Sequence, residues 1–228
     1  KPIEPGTRRK NPLLMYKRGA VVHFAISESE IWMCTNLEPE VPRFLPFNKG
    51  TSDGHAGNDP MQEGDTDYPT GYFWNEICQK ENWLRIFHDF IFENVSKKDD
   101  ATGRLKEVRT QLFPRFHQWS CVTKCLNDVK DHGVGRRYLI EHSAGSGKTE
   151  TISWTAHELI NLRKPDGDKV FSSVIVVTDR VGLDSNIKGT IKQLKKTPGL
   201  IEMIGGDADT RSQGAKNKQL AEALHQSK

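Results

Sequence analysis

The chain has 228 residues, of which 35% are apolar and 28% charged, with a formal net charge of +3. That length holds one large domain or two small ones, and the apolar share leaves much of the chain as loop or surface. No run approaches the roughly 20 apolar residues of a membrane helix. The four cysteines form no C-x-x-C pair and the eight histidines no H-x-x-x-H or H-E-x-x-H spacing, which argues against a disulfide framework or a structural metal site. Cys121 and Cys125, one helical turn apart, are expected to be buried as small apolar residues.

The start, Lys1-Pro-Ile-Glu-Pro-Gly6, has neither an initiator Met nor the apolar core of a signal peptide, and reads as the beginning of a piece of a longer chain; the cysteine usage fits a reducing, cytoplasmic compartment. The charge is unevenly spread. Residues 28–93 hold 13 acidic and 4 basic side chains, so the rest carries +12. Such basic clusters permit a nucleic-acid partner and equally describe solvated faces.

In chain order, Leu13–Ile26 and Ile31–Thr35 are apolar, β-branched and aromatic runs separated by four turn-prone residues, the pattern of a β-hairpin. Residues 39–69 are rich in Gly, Pro, Asn and Asp, a length of loop that is usually functional or disordered. Trp74, Ile77, Trp83, Leu84, Phe87, Phe90 and Ile91 recur at three- and four-residue steps, predicting one or two helices with an aromatic buried face. Lys97–Gly103 reads as a polar hinge and a domain boundary. Pro114 is placed to open a helix whose apolar face is Trp119, Val122, Cys125, Leu126 and Val129, ended by His132-Gly133-Val-Gly135. Within it, Arg115-x-x-Gln118 is ordinary helix surface on its own. Near a nucleotide site it becomes a candidate adenine contact, because an amide both donates and accepts.

The most informative stretch follows. The apolar run Tyr138-Leu139-Ile140 reads as a strand leading into His142-Ser143-Ala144-Gly145-Ser146-Gly147-Lys148-Thr149 and then a helix over 148–163. A strand, a glycine-rich turn and a helix N-terminus converge backbone N–H groups on one point and form an anion site. Gly145 and Gly147 let the backbone wrap a triphosphate. Lys148 reaches the outer phosphates, and the Thr149 hydroxyl completes the shell of a Mg²⁺ ion. His142 stands where the usual pattern has its first glycine. ATP and Mg²⁺ are therefore the expected cofactors, with Lys148 and Thr149 as the catalytic candidates.

Beyond Lys164-Pro-Asp-Gly167, Val170–Thr178 reads as a strand buried on both faces. Thr178-Asp179-Arg180 at its end offers a hydroxyl and a guanidinium to a nucleic-acid backbone, or an Asp cap to the next helix. A helix from 181 to about 194, a strand at 200–204 and a helix over 216–226 complete the pattern. Alternating strands and helices predict an α/β, doubly wound parallel sheet with its ligand at the strands' C-terminal ends.

Several strings together resemble one family, the motor (R) subunit of type I restriction-modification enzymes. They are Lys17–Ala25, Phe44–Gly50, Pro114–Gln118, Gly135–Lys148, and Val174–Arg180 with Leu183-Asp184. The likeness runs from about residue 11 to the C-terminus. It implies an incomplete RecA-like parallel sheet over residues 96–228, preceded at 1–95 by the α+β C-terminal part of a nuclease domain. It also implies ATP-dependent translocation of double-stranded DNA coupled to endonucleolytic cleavage, with modification and specificity subunits as partners and no membrane. Carried over residue by residue, 142–149 match the phosphate loop, Arg115 and Gln118 the adenine-side motif, and Thr178 and Arg180 a DNA-contacting motif. The family's nuclease carboxylates and lysine are expected before residue 11. Its Asp-Glu box and second motor domain are expected after the C-terminus, so this stretch alone should bind ATP and hydrolyse it hardly at all. A superfamily 2 helicase or remodeller without a nuclease, and an ATP- or DNA-binding assembly module without activity, are the other readings. A small-molecule P-loop kinase fits least.

Overall fold

The computed structural model describes residues 11–38, 41–99, 103–178, 189–191 and 213–226. They fall into two compact units, 1–119 and 120–228, with the division inside one helix.

The first unit opens with a short 3-10 turn, Pro12–Leu14, whose N-terminus is capped by the Asn11 side chain accepting from the Leu13 N–H at 3.0 Å. The expected hairpin follows. Strands β1 (His23–Ile26) and β2 (Ile31–Cys34) pair antiparallel, and β3 (Leu45–Pro46) adds on the other side of β2. Ser27 N–H donates to Glu30 O at 2.9 Å and closes the four-residue turn.

Part of the long Gly/Asn/Asp stretch is a folded loop held by its own short polar side chains. Asn48 Oδ1 accepts from the Ile31 N–H and Asn58 Oδ1 from the Lys49 N–H, each at 2.8 Å, while Asn58 Nδ2 donates to Ser29 O at 2.8 Å. Gly50 and Gly57, both at positive φ, close the loop through a Gly50 N–H to Gly57 O bond of 2.8 Å. Asn and Asp suit this work because a short side chain can replace a backbone partner.

Residues 73–90 are helical, as the periodicity predicts, but not uniformly α. Two π turns, Phe73–Ile77 and Ile86–Phe90, flank α1 (Lys80–Arg85). The wider turn, seen in the Cys78 N–H to Phe73 O bond of 2.8 Å, changes the angular step between side chains. Ile77, Ile86 and Phe90 are buried, whereas Trp74 and Leu84, expected on the same stripe, are each 58% exposed.

Of the segment read as a polar hinge, Lys97–Asp99 belong to a strand, and residues 100–102 lie outside the described residues. Strand β4 (Phe92–Asp99) pairs antiparallel with β5 (Leu105–Leu112) in a register running from Phe92↔Leu112 to Asp99↔Leu105. Pro114 then precedes α2 (Phe116–His132), whose Trp119, Val122, Leu126 and Val129 are buried as predicted. Gly133, at φ 78°, ends the helix and donates its N–H to Val129 O. Cys121 and Cys125 are half-buried rather than fully covered. The Cys121 thiol donates to the Cys125 sulfur, which draws Cys125 down to about 7 and pushes Cys121 up.

The core of the first unit is aromatic. Phe47 is fully buried, with ring contacts to Phe24 (5.3 Å), Phe73 (6.2 Å), Phe113 (6.3 Å) and Phe116 (6.0 Å). Tyr72 stacks edge-on to Phe116 at 4.8 Å and donates its hydroxyl to Phe47 O at 2.8 Å; its burial pushes the phenol well above its ordinary range.

In the second unit the described regular structure is helical: the rest of α2, then α3 (Lys148–Asn161), a helical stretch at 189–191 within the expected helix, and α4 (Gln213–Gln226). The parallel sheet expected from the alternating pattern does not appear among the described residues, where both sheets are antiparallel and lie between residues 23 and 112. Residues 138–142 and 171–178 form no ladder, leaving Leu139 96% and Val177 86% exposed. A strand of a parallel sheet exists only beside its neighbours, since each supplies the other's hydrogen bonds. The third expected strand, 200–204, and most of the expected helix 181–194 lie outside the described residues.

Because Phe47 touches four rings at once, Phe47→Ala is expected to destabilise the chain by about 3–5 kcal/mol. Chemical denaturation followed by tryptophan fluorescence measures it; a loss under about 1 kcal/mol would show that this cluster is not the organising core.

Candidate nucleotide-binding site

Residues 142–147 form a turn that leads into α3, whose first two residues are Lys148 and Thr149. Gly145 (φ 70°) and Gly147 (φ 84°) are both left-handed, a conformation that costs glycine little and other residues more. Ser146 N–H donates to Ser143 O at 3.3 Å inside the turn, and the helix proper starts with Thr151 N–H on Gly147 O at 3.1 Å. No side chain caps the α3 N-terminus, where the leading N–H groups carry the positive end of the helix dipole. A Cβ at Gly145 would meet nothing within 4 Å, so that side of the turn is open.

Lys148 is exposed, and its Nζ donates to His142 O and Ser143 O, each at 2.7 Å. The ammonium thus folds back over the loop and rests on two neutral carbonyls. Thr149 is half-buried on the first turn of α3; Ser143, Ala144 and Gly145 are exposed, and Ser146 is buried. Behind the loop, α3 is anchored by Trp154, 1% exposed, and by hydroxyls bonded back along the helix: Thr151 to Gly147 O (3.1 Å), Ser153 to Thr149 O (2.8 Å) and Thr155 to Thr151 O (2.8 Å). The sequence places His142 to Thr149 in one loop, and the structure gathers them there.

Arg115 and Gln118 belong to the first unit and the loop to the second. Gln118 is buried, and its Oε1 accepts from the Arg115 N–H at 2.9 Å. This is one half of a capping box, in which the third helical residue reaches back to the N-cap. Arg115 Nη2 approaches His117 Nε2 at 3.4 Å. Thr178 is half-buried at the end of an irregular segment, while Asp179 and Arg180 lie outside the described residues.

One residue that sequence reasoning passed over organises the approach to the loop. Asp128, near the end of α2, accepts from the Tyr138 hydroxyl at 2.5 Å and from Arg136 Nη1 at 3.1 Å, with His132 Nδ1 at 2.9 Å. The carboxylate ties the segment that runs into His142 to the helix before it. The Tyr138 hydrogen bond, followed by the Arg136 and His132 charges, holds Asp128 below its ordinary carboxylate range, and the same bond pushes the Tyr138 phenol up. The signal lay in the Asp-x-x-x-His spacing followed by a double arginine, which fixes one acid among three donors.

Residues 117–228 match the model of the SWI2/SNF2 ATPase family. A stretch of 121 residues is 24% identical to the signal recognition particle receptor FtsY of Sulfolobus acidocaldarius, covering 49% of this chain and 33% of that protein. The chain thus corresponds to about a third of the length of that curated relative. No solved structure matches. The family match makes residues 117–228 similar to superfamily 2, helicase-like ATPases. Among the described residues no helix is long and apolar enough to cross a membrane.

With its pKa lowered, Asp128 keeps its contribution at every pH above the ordinary carboxylate value and loses it only as pH falls through the lowered one. Asp128→Ala is therefore expected to free residues 136–138 at neutral pH. Limited trypsinolysis after Arg136 and Arg137 should speed up several-fold in that variant; equal rates would show that the three contacts do not hold the segment.

Proposed function

We propose that this chain carries the ATP-binding portion of a DNA-translocating superfamily 2 motor. Its nearest whole-protein setting is the motor and endonuclease subunit of a type I restriction enzyme. The observation that carries the nucleotide reading is the state of Lys148. Its positive charge rests on two neutral carbonyls in a loop with two left-handed glycines and an uncapped helix behind it. A phosphate group offers that ammonium the charge it lacks, so exchange of carbonyls for phosphate oxygens is favourable. The residues fit ATP: the backbone of 145–148 supplies donors, Lys148 holds the outer phosphates, and the Thr149 hydroxyl supplies one oxygen to Mg²⁺. Bound Mg²⁺–ATP supplies the phosphoryl group whose transfer drives movement; the chain's part is to hold and orient it.

In this reading residues 96–228 are most of a first RecA-like domain and 1–95 the end of a nuclease domain. Arg115 and Gln118 are adenine-side candidates. Thr178 and Arg180 are proposed backbone contacts to double-stranded DNA. Cleavage and the modification and specificity partners rest on the sequence resemblance, and a cytoplasmic location on the cysteine usage. A second reading, a helicase-like remodeller without a nuclease, is favoured by the SWI2/SNF2 match itself. Cutting of DNA in an ATP-dependent manner by the intact protein separates the two.

Titration with a fluorescent ATP analogue and Mg²⁺ is expected to saturate, and Lys148→Ala to weaken binding by roughly tenfold or more, as loss of a charge-assisted contact does. Equal binding by the variant would remove the loop from the nucleotide site.

A further inference from the structure

Two of the four cysteines share one face of one helix. Cys121 and Cys125 stand four residues apart on α2, which sets their Cα atoms about 6 Å apart and their Cβ atoms about 5–6 Å apart. Both side chains are half-buried, so a small polar reagent reaches them while the helix holds them side by side. The Cys121 thiol donates to the Cys125 sulfur, and Cys125 is drawn down to about 7. Of the charged groups around the pair, the Lys124 ammonium favours a thiolate and the Asp128 carboxylate opposes one. The other two cysteines differ. Cys34 is buried and donates to Asn36 O at 3.1 Å, and burial pushes both its thiol and that of Cys78 up. A reactive thiol needs its thiolate, access to solvent and, for a reversible product, a second sulfur within reach. Of the four, Cys121 and Cys125 combine all three.

We propose that Cys121 and Cys125 form a reversible oxidation site for hydrogen peroxide, with Cys125 as the attacking sulfur and Cys121 as the sulfur that resolves the product to a disulfide. The Cys125 thiolate attacks one peroxide oxygen and the O–O bond breaks. The hydroxide that leaves takes a proton from solvent and becomes water. The sulfenic acid so formed lies beside the Cys121 thiol. That sulfur attacks the oxidised one, the S–O bond breaks, and the departing hydroxide takes the Cys121 proton. Two thiols and one peroxide thus give one disulfide and two waters. A Cα separation of about 6 Å lies within the range a disulfide spans, but the Cβ atoms must close to about 4 Å. The bond therefore tightens one turn of α2, and a strained disulfide is readily returned to the dithiol by a small thiol such as glutathione. The proposal is independent of the nucleotide reading, because neither sulfur belongs to the phosphate loop.

The test is treatment of the folded chain with limiting hydrogen peroxide at neutral pH, then alkylation of the remaining thiols and tryptic mapping. Lys124 lies between the two cysteines, so trypsin separates them and the disulfide appears as peptides 116–124 and 125–130 joined. The Cys121 and Cys125 thiols are expected to be lost several-fold faster than those of Cys34 and Cys78, since a larger thiolate fraction outweighs a weaker intrinsic nucleophilicity. Cys121→Ser should leave Cys125 as a sulfenic acid that dimedone captures. Cys125→Ser should slow oxidation of Cys121 to the rate of Cys78. In denaturant the four thiols should be lost at similar rates.

Equal loss of all four thiols in the folded chain overturns the proposal, as does a map without the joined peptides. So does a preference for the pair that survives denaturation, or a disulfide that glutathione does not reduce. The wild-type map decides the question on its own where a serine variant fails to fold.

Discussion

Two left-handed glycines, Gly145 and Gly147, set the geometry on which the proposed nucleotide site depends. They turn an irregular segment abruptly into α3, so that Lys148 begins the helix while its side chain folds back to His142 O and Ser143 O. Any side chain at Gly147 would have to hold a left-handed backbone at a cost of about 1 kcal/mol or more. The helix dipole, the uncapped amides and one ammonium then lie within a single turn. No neighbouring carboxylate is needed to hold Lys148, and its neutral resting partners leave it ready for a phosphate.

What steadies that turn is arranged on both sides of it. Ahead of it, Asp128 gathers Tyr138, Arg136 and His132 and binds the incoming segment to the end of α2. Behind it, Trp154 is buried and three hydroxyls bond back along α3, so the helix start is not left to fray. The first unit is stabilised by different means. Phe47 sits among four aromatic rings, and the loop that follows it is pinned by Asn48 and Asn58 rather than by regular pairing.

Local signals carried much of this. The hairpin of β1 and β2 follows from two apolar runs around Ser27–Glu30, and α2 from Pro114 and the spacing of Trp119, Val122, Leu126 and Val129. The loop His142–Thr149 and the start of α3 at Lys148 were legible because glycine and Gly-Lys-Thr spacing are local properties of the backbone. Features set by distant partners were not. The β4–β5 ribbon runs through Lys97–Asp99, a polar stretch whose sequence lacks the apolar alternation of a strand, and its partner strand supplies the pairing. The π turns at Phe73–Ile77 and Ile86–Phe90 rotate Trp74 and Leu84 outward, which a 3.6-residue period cannot foresee. The segments around Leu139 and Val177 have the composition of inner strands, yet without paired neighbours among the described residues they form none. Gln118 illustrates the remaining ambiguity. Its spacing makes it a candidate adenine contact, and its oxygen accepts from the Arg115 N–H at the start of α2.

The most direct measurement of the central claim is hydrogen–deuterium exchange across residues 142–152 with and without Mg²⁺–ATP. Phosphates seated on the loop would engage its amides and the first turn of α3, so the account predicts slowed exchange there that Lys148→Ala abolishes. Exchange in that segment unchanged by saturating Mg²⁺–ATP would contradict it.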